Sequence, residues 1–434
     1  MSMLYLAIPL GVAIGILFLR RFGSGQFCGG ASSLACGLPV SDCEHPARKT
    51  VADFVYSGIQ NSDDLKAALQ CAIELEFSTI PPYLCAEWSI KDQEDQVREI
   101  IHEIVIQEMV HMALACNMLS AIGGKPSLTK PGFVAQYPTN GLPGGVHPNL
   151  KVDLLPLSLE SLKTFMEIEY PCEGPIAATL DYATIGEFYD AIATAFEKLS
   201  PAFGDGIQME HRFPVGEVFA IRSVADAIKA IKVIKEQGEG NIQSPMPPES
   251  FSGEPSHYYA FKQLAEGRRL RKGTDGKWRF DGEVIPLPAV HSFAQASDDA
   301  ACSEFNQALR DTLDGLERTW TVGTQEFSKA MQGMMRLRKQ GFSLVRRGLR
   351  PSFNPKTNSS ERYSTMSDTT CKCTGQAECK CDSNCSASCN GACSTPEQPK
   401  QVAAIPDITL PGNAARCNCG DCSCQTGRTS CGCK

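Results

Sequence analysis

A mainly α fold, a four-helix bundle followed by further C-terminal helices, is what residues 55–349 predict, and three observations carry it. Apolar residues recur there at steps of three and four, the spacing that gathers side chains on one side of a helix. Pro- and Gly-rich connections separate these stretches, while strand patterns are short and scattered. Three of the stripes also carry a glutamate among their apolar members, although burying a lone carboxylate costs several kcal/mol.

The first helix follows Ser62 and Asp63, residue types suited to an N-cap, and aligns Leu65, Leu69, Ala72, Ile73 and Glu76. It then meets Pro81 and Pro82 in LEFSTIPPYL, residues 75–84. A proline removes a helical hydrogen bond, so this helix is expected to bend or end just after Glu76 and open space beside it. The second helix steps through Val97, Ile101, Ile104, Glu108, His111, Ala115, Met118 and Ile122. A third begins after Ser158 and aligns Leu162, Phe165, Met166 and Glu169. A fourth starts at Ser223, with Asp226 in capping-box position, and runs through Val224, Ala227, Ile228, Ile231 and Ile234. Two more carry Phe305, Leu309, Leu313 and Leu316, then Phe327, Met331, Met334 and Leu344.

The flanks differ from this core. Met3 to Leu19 is an uncharged apolar run followed by Arg20 and Arg21, so residues 1–22 are expected to form a single-pass membrane anchor that keeps the main domain cytosolic. Residues 23–54, rich in Gly, Ser and Cys, read as a linker, and residues 350–370 as a disordered one. Residues 371–434 hold 13 of the 21 cysteines, many as Cys-x-Cys: Cys371 with Cys373, Cys379 with Cys381, Cys417 with Cys419, Cys422 with Cys424 and Cys431 with Cys433. Such pairs are poorly placed to form a disulfide with each other but suit thiolate binding of a soft cation. The net charge of -8 and pI near 5.5 leave no strongly basic face for nucleic acid, and neither a Gly-x-Ser-x-Gly elbow nor a phosphate loop is present.

The acids on the apolar stripes carry the functional argument. Glu76, Glu108 and Glu169 lie on them, whereas Glu74 and Glu103 are expected off them, and His111 stands one turn beyond Glu108. Bundles that hold two metal ions draw one Glu from each of two helices and a Glu-x-x-His from each of two others. Glu76 and Glu169 suit the first roles, and Glu108 with His111 a third. For the fourth, Glu236 and Glu239 end the fourth helix, Glu239 nearer its apolar face, and His257 follows with Glu254 three residues before it. The second Glu-x-x-His is therefore either literal or split between two segments.

LEFSTIPPYL (75–84), EMVHMALACNMLSAIGGKP (108–126), IEYP (168–171), IKEQGEG (234–240) and SHYYAF (256–261) together resemble the ferritin-like domain of iminophenyl-pyruvate dimer synthases and their relatives. The resemblance covers about residues 55–345 and implies a four-helix core with a carboxylate and histidine metal site. It also implies oxidative chemistry, which in the best-known branch serves pigment biosynthesis. The tail resembles metallothioneins, which implies Cu(I) or Zn there. The expectation is thus a di-metal oxidase or oxygenase, with two iron ions or another divalent pair in the core and a small organic substrate. The rival expectation is a non-catalytic protein that binds, stores or buffers metals through core and tail.

Overall fold

The computed structural model describes residues 49–171, 182–238, 240, 244–247, 253–293 and 300–355. The expected membrane anchor, Glu239 and the whole Cys-rich tail fall outside these residues. The described part is mainly helical, with short hairpins as connections. In chain order it comprises α1 (Val51–Tyr56), α2 (Ser62–Ser89), α3 (Gln96–Ala121), β1 (Thr139–Leu142), β2 (Val146–Val152), α4 (Leu159–Ile168) and α5 (Ile185–Leu199). Then follow β3 (His211–Phe213), β4 (Gly216–Val218), α6 (Val224–Gly238), α7 (His257–Glu266), β5 (Arg271–Lys272), β6 (Trp278–Arg279), α8 (Ser303–Thr321) and α9 (Phe327–Arg346). The strands form three separate antiparallel pairs, β1 with β2, β3 with β4 and β5 with β6.

The centre of the domain is the long pair α2 and α3, both buried along most of their lengths. Asn61 caps α2 by accepting from the Asp64 amide at 2.9 Å, one position before the expected cap. α2 does not end at its prolines: it continues unbroken through Pro81 and Pro82 to Ser89. Pro82 offers no N–H to the carbonyl of Ser78, and the hydroxyl of Tyr137 donates to that oxygen instead, at 2.9 Å. The long-range contact replaces what the local sequence removed.

Around this pair the other two arms of the bundle are interrupted. α4 packs on α7 and α5 on α6, and each of these short helices also touches the central pair, α4 and α5 on α2, α6 and α7 on α3. α5 is absent from the sequence reading, although Thr184 and Glu187 form a reciprocal capping box and Phe188, Ile192 and Phe196 bury its inner side. α8 and α9 form an antiparallel pair that lies on α2 through α9. The approach there is close: a Cβ on Gly341 would come within 2.1 Å of the Trp88 ring. At the domain edges, α1 begins at Val51 inside the stretch read as a linker, and Phe353 is buried against Trp88 and Phe305 although it follows the last helix. α3 is long and apolar enough to cross a membrane, but 83% of its most apolar window is buried inside the fold, which makes it a core helix here.

Candidate metal centre

α2 delivers Glu76, α3 delivers Glu108 and His111, the residue closing α4 delivers Glu169, and the first residue of α7 delivers His257. All five are buried, with between 0% and 8% of their surface exposed. His257 Nδ1 lies 2.7 Å from Glu108 Oε1 and 3.7 Å from Glu169 Oε1. His111 Nδ1 lies 3.6 Å from Glu76 Oε2 and 3.9 Å from Glu108 Oε1. The two imidazoles stack with centroids 5.5 Å apart. Donor atoms of Glu108, His111 and His257 all fall within 4.8 Å of one another, a spacing that lets them share one ion.

Partners on the outer side of these groups set their orientation. His111 Nε2 is 2.8 Å from Gln237 Oε1, and His257 Nε2 is 2.8 Å from Gln107 Oε1. Each amide oxygen holds a proton on Nε2 and turns Nδ1 toward the carboxylates, the arrangement by which outer partners fix a ligating histidine. Tyr83 donates to Glu169 Oε1 at 2.7 Å, Tyr189 donates to Glu76, and Thr79 donates to Glu108 Oε2 at 2.9 Å. Tyr83 is held in place by edge contacts with Phe165 and Phe261, at 4.6 and 5.0 Å between centroids.

Two other buried acids on α2 show what ordinary neutralisation looks like in this protein. Glu74, expected to face outward, is buried and pairs with Lys130. Glu87 is fully buried and takes Arg98 at 3.0 Å, with Arg338 at 3.8 Å. Glu76, Glu108 and Glu169 have no Lys or Arg partner among the described residues. The nearest cation along the cavity wall, Lys235, is engaged with Asp190 at 2.6 Å. Moreover, His257 Nδ1 comes within 2.7 Å of Glu108 Oε1, so two buried ligating atoms converge on a point where a proton or a cation can join them. That geometry fits a shared cation, and the donor set of carboxylate oxygen and imidazole nitrogen suits iron, manganese or zinc.

Without a cation, protons hold the balance. Burial and then the Glu169 charge push Glu108 up to about 7, against the opposing pull of His257. Burial disfavours the charged form of His257, but Glu108 and Glu169 outweigh it and raise the imidazole to about 10. Burial likewise opposes charge on His111, and Glu76 and Glu108 raise it. Burial works to raise Glu169, yet His257 and Tyr83 prevail and lower it. Burial, then the adjacent carboxylates, lift the Tyr83 and Tyr189 phenols well above their ordinary range, so both stay donors.

Of the remaining sequence candidates, Glu236 points to Lys232 at 3.7 Å, and the adjacent Gln237 is the residue that meets His111. Glu254 pairs with Arg269 and accepts from Gln263 at 2.8 Å, away from the cluster. His257 therefore joins the site from the start of a helix rather than as the end of a Glu-x-x-His turn. Tyr83, Thr79, Gln107, Tyr189 and Gln237 were not singled out from the sequence. For Tyr189 a signal existed, the Thr184 to Glu187 capping box followed by a helical apolar stripe; for the two glutamines none did.

Residues 69–266 match the sequence family described as Ferritin-like. The fold is similar to a crystal structure, at 1.95 Å resolution, of a ferritin-like protein from Caulobacter vibrioides, with a TM-score of 0.53 and 24% identity over 68% of this chain and 100% of that one. A comparison with curated protein sequences finds no match.

Proposed function

From a ferritin-like fold with a buried carboxylate and imidazole cluster, we propose that the chain is a membrane-anchored di-metal oxidase or oxygenase, with iron as its resident metal, acting on a small organic substrate. The single observation behind this reading is the set of three inward carboxylates with no Lys or Arg partner among the described residues, faced by two imidazoles whose Nδ1 atoms are turned toward them. Glu76, Glu108, His111, Glu169 and His257 would hold the ions, fewer protein ligands than the six of the symmetric pattern, which leaves positions for oxygen and substrate. Reduced iron in such a site supplies the electrons that activate O2. The chain's own part is to hold and to shield. Gln107 and Gln237 keep the imidazole protons on the outer nitrogens, while Tyr83, Thr79 and Tyr189 fix the carboxylate directions. Leu75, Ile168, Ile185 and Ile234 line a small cavity of about 30 Å³ beside the cluster and keep bulk water from it. The likeness of motifs to iminophenyl-pyruvate dimer synthases supports an oxidative reaction on a small organic molecule, and the Cys-x-Cys tail supports separate binding of Cu(I) or Zn.

Elemental analysis of the purified protein against His111→Ala, followed by O2 uptake after ferrous iron is added, tests the proposal. Two iron ions per chain, fewer in the variant, and sustained O2 uptake only with an organic substrate are expected. One burst of iron oxidation without turnover would instead identify a metal store. A metal-free protein indifferent to Glu108→Ala would remove the proposal altogether.

A further inference from the structure

We propose that Lys235 sorts what enters the metal cavity, passing neutral and anionic small molecules and slowing cations, an inference that rests on the metal centre proposed above. Of the residues that line the cavity, the three acids, His111 and most of the apolar wall are buried, and only Tyr170, Ile185, Lys235 and Gly238 keep part of their surface in solvent. These four form the mouth. It opens directly on a ligand, because a Cβ placed on Gly238 would stand 3.5 Å from Glu169 Oε2. Lys235 lies three positions before Gly238 on α6, which puts the two on the same side of the helix. With about 30 Å³ inside, the cavity has room for a molecule of about two or three atoms, such as O2.

Lys235 is the only Lys or Arg among the described residues of the cavity wall, and its ammonium holds Asp190 at 2.6 Å. The pair is neutral in sum but not symmetric. The Lys235 side chain is 23% exposed and that of Asp190 59%, so the positive end is the inner one. A dication that has passed Asp190 therefore meets a like charge before it reaches Glu169, whereas an anion or O2 does not. Low-dielectric walls focus such a field and change entry rates by about tenfold or more. A centre guarded in this way keeps its resident ions and exchanges oxygen freely, as an oxidase requires; a metal store needs the opposite.

Rates of entry into the full chain test the gate, with Fe2+ as the cation and azide as a small anion. Fe2+ loading is timed without oxygen by the iron that a ferrous chelator no longer takes, and azide binding by the charge-transfer absorbance of the air-oxidised form. Lys235→Met should speed Fe2+ loading about tenfold and slow azide binding about tenfold, while the final iron content per chain stays the same. Asp190→Asn, at an exposed position, should do the reverse by stripping the outer counter-charge. A change of shape at the mouth alters both rates in one direction, so opposite signs belong to charge. Iron uptake at equal rates in the native chain and Lys235→Met, or both rates moving together, would overturn the gate and leave the metal centre standing; a native chain that takes up no iron would overturn both.

Discussion

Glu74 and Glu76 stand two residues apart on the same buried helix, and their contrast yields the sharpest prediction. Glu74 has its own cation, Lys130, and a second contact from Gln70 at 3.2 Å, whereas Glu76 faces His111 and Tyr189. Glu74→Gln keeps the shape and removes one partner of an ion pair whose carboxylate is buried, at a cost of about 3 kcal/mol whether or not metal is present. Glu76→Gln removes a ligand. Metal at about 100 times its dissociation constant stabilises a native protein by about 2.7 kcal/mol. A ligand loss that weakens binding about 100-fold leaves about 0.4 kcal/mol of that, since the site is then only half filled. The metal-dependent increment should therefore fall by about 2.3 kcal/mol in Glu76→Gln and stay whole in Glu74→Gln. Urea unfolding of both variants and the native chain, under anaerobic ferrous iron and again under chelator, measures the four differences. An intact increment in Glu76→Gln, or an equal loss in Glu74→Gln, would show that the absence of a basic neighbour at Glu76 has nothing to do with a metal ion.

Other outcomes follow from the same contacts. Tyr137→Phe should cost about 1–2 kcal/mol in unfolding experiments by orphaning the Ser78 carbonyl, and nearly nothing in a Pro82→Ala background where the helical N–H is restored. Gln237→Leu should weaken iron binding about 10- to 100-fold in chelator competition while leaving the helical spectrum unchanged, because His111 loses the partner that fixes its proton. Burial holds His147 down to about 4, below the ~6.5 of an unfolded chain. The unfolded state therefore takes up the proton first as pH falls, and stability contributed above 6.5 is lost between about 6.5 and 4, by up to about 3 kcal/mol. His147→Asn, which tolerates the left-handed φ of 47° at that position, should flatten this part of the pH dependence of unfolding.

The amino-acid sequence by itself determined the helical class, the positions of α2, α3, α4, α6, α8 and α9, and the inward direction of Glu76, Glu108, His111 and Glu169. These are local matters: a period of three to four residues with caps at its ends specifies a helix and its buried side before any tertiary contact exists. Periodicity failed where a helix is buried nearly all round. On α2 it separated Glu74 from Glu76 by face, yet both are inside, and only Lys130, brought from another segment, distinguishes them. Tertiary contact alone also decided that α2 runs on through Pro81 and Pro82, because Tyr137 satisfies a carbonyl that no nearby residue reaches. It likewise chose Gln237 over Glu236 beside His111, and brought His257 to Glu108 across 149 positions of chain, by docking interrupted arms whose register no single segment encodes. Hydrophobic pattern reports which side of an element turns inward. Which partner it meets there depends on packing between elements, and the charge balance of a buried site is set by that meeting.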